Sequence, residues 1–182
     1  MTFSIPNLLS LFRLATAPLL ALVFLVPENQ NIANIAATAL FLLAASTDFW
    51  DGFIARRINQ STSLGALLDL LADKLLIVTA LLLLLDAERA PVGACIFIVG
   101  RELLMSALRE WVAQNGKSST VRVIAVGKWK TGLQMTAVPF LFYAGDLWAL
   151  NTLAVGVWLL WAAAALSVWS MLSYCLALWR NE

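Results

Sequence analysis

The chain has 182 residues, 62% of them hydrophobic and 13% charged, and its 12 Lys and Arg against 11 Asp and Glu leave a net charge of +1. The apolar share is well above, and the charged share well below, that of a soluble globular domain, and the near-neutral balance provides no basic field for a nucleic-acid partner. Histidine is absent; that removes the commonest general base and every histidine-based metal site, so any catalysis must draw on carboxylates, lysines or arginines.

Residues 1–7 contain no Lys or Arg, and no small-residue cleavage site interrupts the apolar run at 8–26, which is expected to stay as a first membrane span. Further apolar runs at 32–45 and 155–169 approach the ~18 residues of a bilayer-crossing helix. A membrane barrel would show short alternating segments instead, so the expectation is all-α and polytopic. Breakers at 27–34, 56–63, 86–91, 115–121 and 145–151 divide the chain into six segments, each long enough to cross. With the N-terminus inside, the inner face collects Arg56, Arg57, Arg109, Lys117, Arg122, Lys128, Lys130 and Arg180. The outer loops collect Glu28, Asp86, Glu88, Arg89 and Asp146. The excess of Lys and Arg places both ends in the cytoplasm. Trp148 and Trp179 flank the last span as interfacial anchors or packing residues. Cys95 and Cys175 sit in apolar runs without a pairing pattern and read as small core residues. No fixed-period repeat or low-complexity segment appears, so residues 1–182 are expected to form one domain.

Four carboxylates need a reason to be there. Asp48 and Asp51 lie near the inner end of the second span, Asp69 and Asp73 in the first part of the third. Each would cost about 2.5–3.5 kcal/mol at mid-bilayer, so they must face a polar cavity or bind something. Asp48 and Asp51 are three apart and Asp69 and Asp73 four apart, which puts each pair on one helix face. In an antiparallel hairpin, residues at equal depth share an index sum: Asp48 with Asp73 gives 121 and Asp51 with Asp69 gives 120, so the four form two matched levels. With the turn near Gln60, these levels lie roughly 14–20 Å from its tip at 1.5 Å per residue, toward the cytoplasm.

Four converging carboxylates repel unless cations or protons compensate them. Oxygen ligands without His or Cys favour Mg²⁺, Mn²⁺ or Ca²⁺ over zinc, and two such ions held side by side form a clamp for phosphoryl displacement. Gly52, Ala55 and Gly65 lie on or beside the carboxylate faces, where a bulky ligand would need the backbone close. Arg56 supplies a cation for a phosphate oxygen. Lys74 is a neutraliser for Asp73 or Asp69, and Arg57 an inner-face anchor. On the carboxylates alone, a proton or ion path in a small transporter stays open as the alternative.

Asp48, Asp51, Gly52, Ala55, Arg56, Gly65, Asp69 and Asp73 together fit D-x2-D-G-x2-A-R-x8-G-x3-D-x3-D, eight fixed positions over 26 residues. This string resembles the signature of the CDP-alcohol phosphotransferases. The resemblance implies a six-helix membrane fold, a homodimer, and a site for two divalent cations, Mg²⁺ or Mn²⁺, at the cytosolic side. It implies Asp48, Asp51 and Asp69 as metal ligands, and Asp73 as general base and further ligand. Asn7, Asp48, Gly52, Ala55, Arg56 and Gly65 then contact the CDP-diacylglycerol. Shorter stretches at 5–8 with Arg13, at 100–102, at 107–110 and at 127–131 resemble the bacterial branch of the family that passes a phosphatidyl group to glycerol 3-phosphate, an inner-membrane activity. Many such enzymes have proline after the third aspartate, and Leu70 here should leave the helix straighter.

Glycerol 3-phosphate is a dianion and needs cations of its own. Arg101, Arg109 and Lys128 are favoured over Lys130. Arg101 beside Glu102 also reads as a structural ion pair, and Arg109 and Lys128 as lipid-phosphate anchors. Another acceptor within the same family, as in a cardiolipin, phosphatidylserine or inositol-phosphate synthase, stays open at this point.

Overall fold

The computed structural model describes residues 5–26, 29–58, 63–114, 126–147 and 150–179; within these, side chains at 5–9, 48–58, 63, 64, 66, 69, 113, 126–129, 177 and 179 are outside the described set. Six helices follow one another: α1 Ile5–Leu25, α2 Gln30–Ile58, α3 Ser63–Asp86, α4 Val92–Gln114, α5 Val126–Tyr143 and α6 Thr152–Trp179. Local chemistry sets their ends. The Asn29 side-chain oxygen accepts from the Asn31 and Ile32 amides at 3.0 and 3.4 Å, capping α2. The Asn151 oxygen caps α6 in the same way, accepting from the Ala154 amide at 3.0 Å. After α3, Glu88 takes a left-handed φ of 57°, and the Arg89 and Ala90 amides turn back to the Leu84 carbonyl at 2.9 and 3.1 Å. Pro91 then precedes α4. α3 runs as one helix from Ser63 to Asp86 with no internal proline.

A two-residue hairpin, β1 Asp146–Leu147 with β2 Leu150–Asn151, joins α5 to α6 where only a loop was expected. Ala144 enters it at a φ of 45°, and the Thr152 hydroxyl donates to the Gly145 carbonyl at 2.6 Å while accepting from the Gly145 amide at 3.1 Å. Trp148 and the Trp179 side chain, expected as anchors, lie outside the described residues.

α1 packs on α3 and α2, α5 on α6 and α2, and α4 on α6. Gly156 lets α5 and α6 approach closely, since a Cβ there would meet Leu141 Cγ at 2.7 Å. One core takes side chains from all six helices, among them Leu20, Phe41, Leu84, Ile98, Phe142 and Leu160. Outside it the surface is apolar: Leu22, Leu43, Leu82, Ile96, Leu103 and Trp158 are exposed, the last by 76%. An exterior of that kind calls for lipid around it. Among the described residues, Thr152–Leu176 is long and apolar enough to cross a membrane, and Ser10–Leu25 is a shorter apolar stretch. Helices α3, α4 and α5 carry charged side chains that line one cavity.

Polar groups gather at two levels of the bundle. One lies beside the α3–α4 turn. Arg89 donates to Asn34 Oδ1 at 2.8 Å and to the Phe142 carbonyl at 2.9 Å, and it stands 5.4 Å from the Phe24 ring centroid. Burial lowers the Arg89 pKa, yet a guanidinium is basic enough to stay charged. This clamp ties the turn to the last carbonyls of α5, where a cation is favoured. The other level is the candidate site.

Candidate active site

Helical periodicity brings charged side chains to the core side of four helices. On α1, Ser10, Arg13, Ala17, Leu20 and Phe24 are buried at the spacing of one face. On α4 the buried face runs through Ala94, Ile98, Arg101, Met105 and Val112, and on α5 through Lys130, Gln134, Ala137, Val138 and Leu141. Arg101 and Lys130 are each 5% exposed, so each needs an anion within the bundle.

A cavity of about 330 Å³ opens among α3, α4 and α5. Its polar wall is Asp73, Lys74, Arg101, Glu102, Arg109, Lys130, Thr131 and Gln134, and its apolar wall includes Leu70, Ile77, Ile98 and Met135. A larger groove of about 610 Å³ runs along α6 past Trp158 and Trp161. It has no ionisable lining residue, so volume does not mark the chemistry.

Within the cavity the contacts are specific. Arg101 Nη1 donates to Glu102 Oε1 at 2.9 Å, and Lys130 Nζ donates to the same oxygen. Arg101 Nη2 reaches Ser170 Oγ at 3.5 Å, while its buried Nε has no hydrogen-bond partner among the described residues. Lys74 donates to Ser106 Oγ, which in turn donates to the Glu102 backbone carbonyl at 2.7 Å. Asp73 pairs with Arg13 of α1; the Arg13 side chain is 1% exposed and that of Asp73 38%. Lys74 therefore serves Ser106 instead of Asp73. Among the described residues, a cation at Asp73 is Arg13, which comes from a helix distant in sequence.

Asp73, Arg101 and Arg109 of the sequence-derived site thus share one cavity, with Arg109 exposed at its edge. Asp48, Asp51, Gly52, Ala55 and Arg56 fall in the last part of α2, Asp69 in α3, Asn7 in α1 and Lys128 in α5, and their side chains lie outside the described residues. Gly65 is in the first turn of α3. Lys130, set below Lys128 on sequence grounds, lines the cavity, as do Gln134 and Glu102. The signal for Lys130 and Gln134 was their four-residue spacing, in phase with Ala137 and Val138. Arg13 was marked only by the stretch at 5–8 that resembles the family and by its phase with Ala17, Leu20 and Phe24; neither showed that it would meet Asp73.

The profile of the CDP-alcohol phosphatidyltransferases matches residues 3–169, most of the chain and all of the site. The chain belongs to this family. Two curated relatives bear the name CDP-diacylglycerol--glycerol-3-phosphate 3-phosphatidyltransferase, from Shigella flexneri serotype 5b (strain 8401) and Escherichia coli (strain K12). Each is 42% identical over 179 residues, covering 96% of this chain and 94% of the relative. Family membership makes the chain a membrane enzyme of phospholipid synthesis and sets aside the ion-coupled transporter.

As a donor set, the motif carboxylates suit hard divalent cations. All the ligands are oxygen, the chain has no histidine, and Asp73 is open to the cavity by 38% of its side chain. Asp48, Asp51, Asp69 and Asp73 are the residues that would hold such ions.

Proposed function

We propose that the chain transfers the phosphatidyl group of CDP-diacylglycerol to sn-glycerol 3-phosphate, giving phosphatidylglycerophosphate and CMP. The observation that carries this reading is the shared cavity: a carboxylate able to take a proton, Asp73, and buried cations able to hold a phosphate, Arg101 and Lys130, line the same walls. An acceptor with a hydroxyl at one end and a phosphate at the other matches that arrangement. The names of the 42% identical relatives support the same substrates.

In this mechanism Arg101, Lys130 and Arg109 bind the acceptor phosphate, with Lys128 as a further cation, and turn the free hydroxyl toward Asp73. Asp73 removes the hydroxyl proton as the oxygen bonds to the phosphatidyl phosphorus and the bond to CMP breaks. Bound at Asp48, Asp51, Asp69 and Asp73, two Mg²⁺ or Mn²⁺ ions would supply charge stabilisation for the diphosphate and the departing CMP. Asn7, Asp48, Gly52, Ala55, Arg56 and Gly65 would seat the CDP-diacylglycerol. Arg13 holds Asp73 against α1, and the acyl chains stay in the bilayer. The site faces the cytoplasm of a bacterial inner membrane, with both termini on that side, in a single-domain chain that forms a homodimer.

The test is CMP release by purified protein in mixed micelles with CDP-diacylglycerol and, in turn, glycerol 3-phosphate, phosphatidylglycerol, serine and inositol phosphate. CMP should appear with glycerol 3-phosphate. Release with one of the others alone overturns the acceptor assignment.

A further inference from the structure

We propose that Glu102 is a positioning residue for the acceptor phosphate, acting through Arg101 and Lys130. This role rests on glycerol 3-phosphate being the acceptor.

Two cations buried to 5% exposure, one from α4 and one from α5, donate to a single oxygen, Glu102 Oε1. Side by side without a carboxylate, they would repel and would each carry an uncompensated desolvation cost. Glu102 pins them close enough for one phosphate to bridge both. Its side chain is 31% exposed on the cavity, so it holds them at the wall where a ligand enters and not deeper in the core. The Arg101 guanidinium is held through its Nη atoms, by Glu102 Oε1 and Ser170 Oγ, on a side chain that lines the cavity.

The charge on this wall suits an anion. Arg101, Lys130 and Arg109 outnumber Glu102, and Asp73 pairs with Arg13 of α1. Glu102 therefore sets the spacing of the cations while leaving them an excess positive charge for the acceptor phosphate.

The experiment measures the KM for each substrate separately, using purified full-length protein in mixed micelles, with glycerol 3-phosphate and CDP-diacylglycerol as probes. Glu102→Ala should raise the KM for glycerol 3-phosphate by about tenfold or more and change that for CDP-diacylglycerol by less than about twofold. Glu102→Gln, which keeps an acceptor oxygen but not the charge, should fall between Glu102→Ala and wild type. Because Glu102 acts through Arg101 and Lys130, adding Glu102→Ala to the combined Arg101→Ala and Lys130→Ala variant should raise the KM by no more than about twofold beyond that variant alone. Should Glu102→Ala not give a folded protein by gel filtration, Glu102→Gln, alone and added to the same combined variant, provides the same comparison. A lower KM in Glu102→Gln would mean that the carboxylate competes with the phosphate, and would overturn the positioning role. Multiplying effects in the triple variant, or equal loss for both substrates, would do so too. Wild-type CMP release that ignores glycerol 3-phosphate overturns the acceptor assignment itself. Wild-type dependence on it with an unchanged KM in the variants overturns only the role of Glu102.

Discussion

Asp73→Asn should damage the protein in two separable ways. The substitution keeps the shape and one oxygen ligand but removes the proton acceptor, and a positioned base typically contributes about 10²–10⁴-fold, roughly 2.7–5.5 kcal/mol of barrier. It also discharges a partner of Arg13, whose side chain is 1% exposed. Breaking a fully buried pair costs about 3–5 kcal/mol and an exposed one about 0–1 kcal/mol. With Asp73 38% exposed the cost falls between, at roughly 2 kcal/mol. Replacing both members also removes the charge that Asp73 balances, so Arg13→Met with Asp73→Asn should be more stable than Asp73→Asn alone while kcat stays low. Thermal unfolding in detergent reads the first quantity, and CMP release at saturating substrates the second. Near wild-type kcat in Asp73→Asn, or a double variant that recovers kcat together with stability, would refute the assignment of Asp73 as base.

Chelation by excess EDTA should abolish activity and added Mg²⁺ or Mn²⁺ restore it, because the four motif carboxylates can converge only around cations; full turnover in EDTA would contradict this. Arg101→Ala or Lys130→Ala should raise the KM for glycerol 3-phosphate more than that for CDP-diacylglycerol in the same CMP assay, and the reverse pattern would reassign both cations to the nucleotide lipid. Arg89→Ala removes two hydrogen bonds made by a charged group, to Asn34 and to the Phe142 carbonyl. It should cost about 2–4 kcal/mol in a detergent unfolding experiment, with kcat at low temperature unchanged because the clamp lies outside the cavity.

The six helices were legible because Pro, Gly, Asn and charged clusters interrupt the apolar runs at each connection, and the family was legible because eight motif positions fall within one short window. What sequence order concealed were contacts between distant segments. Arg13 and Asp73 stand 60 residues apart, and their pairing depends on α1 packing along α3. Lys130 ranks below Lys128 in the sequence because both are basic residues near the same loop; that Lys130 faces the cavity depends on the rotation of α5, set by Ala137, Val138 and Leu141 further along. The hairpin at 146–151 escaped notice because two-residue strands carry no period of their own, and the αL geometry at Ala144 is disfavoured for that residue type. Arg89 read as an outer-loop charge, since nothing local shows that the turn folds back over Asn34 and the end of α5.

The apolar exterior bears on which substitutions this protein can tolerate. Lipid chains are fluid and fit any shape, so a residue such as Leu22, Leu43, Leu82 or Ile96 has only to remain apolar, and Leu, Ile, Val and Phe should interchange there at little cost. The interior has no such latitude, because Arg13, Arg101 and Lys130 must each meet particular atoms. A saturation scan should therefore show a map turned inside out relative to a water-soluble enzyme: broad freedom of shape with a strict veto on charge at the rim, and near-complete intolerance, even of similar polar residues, at the centre.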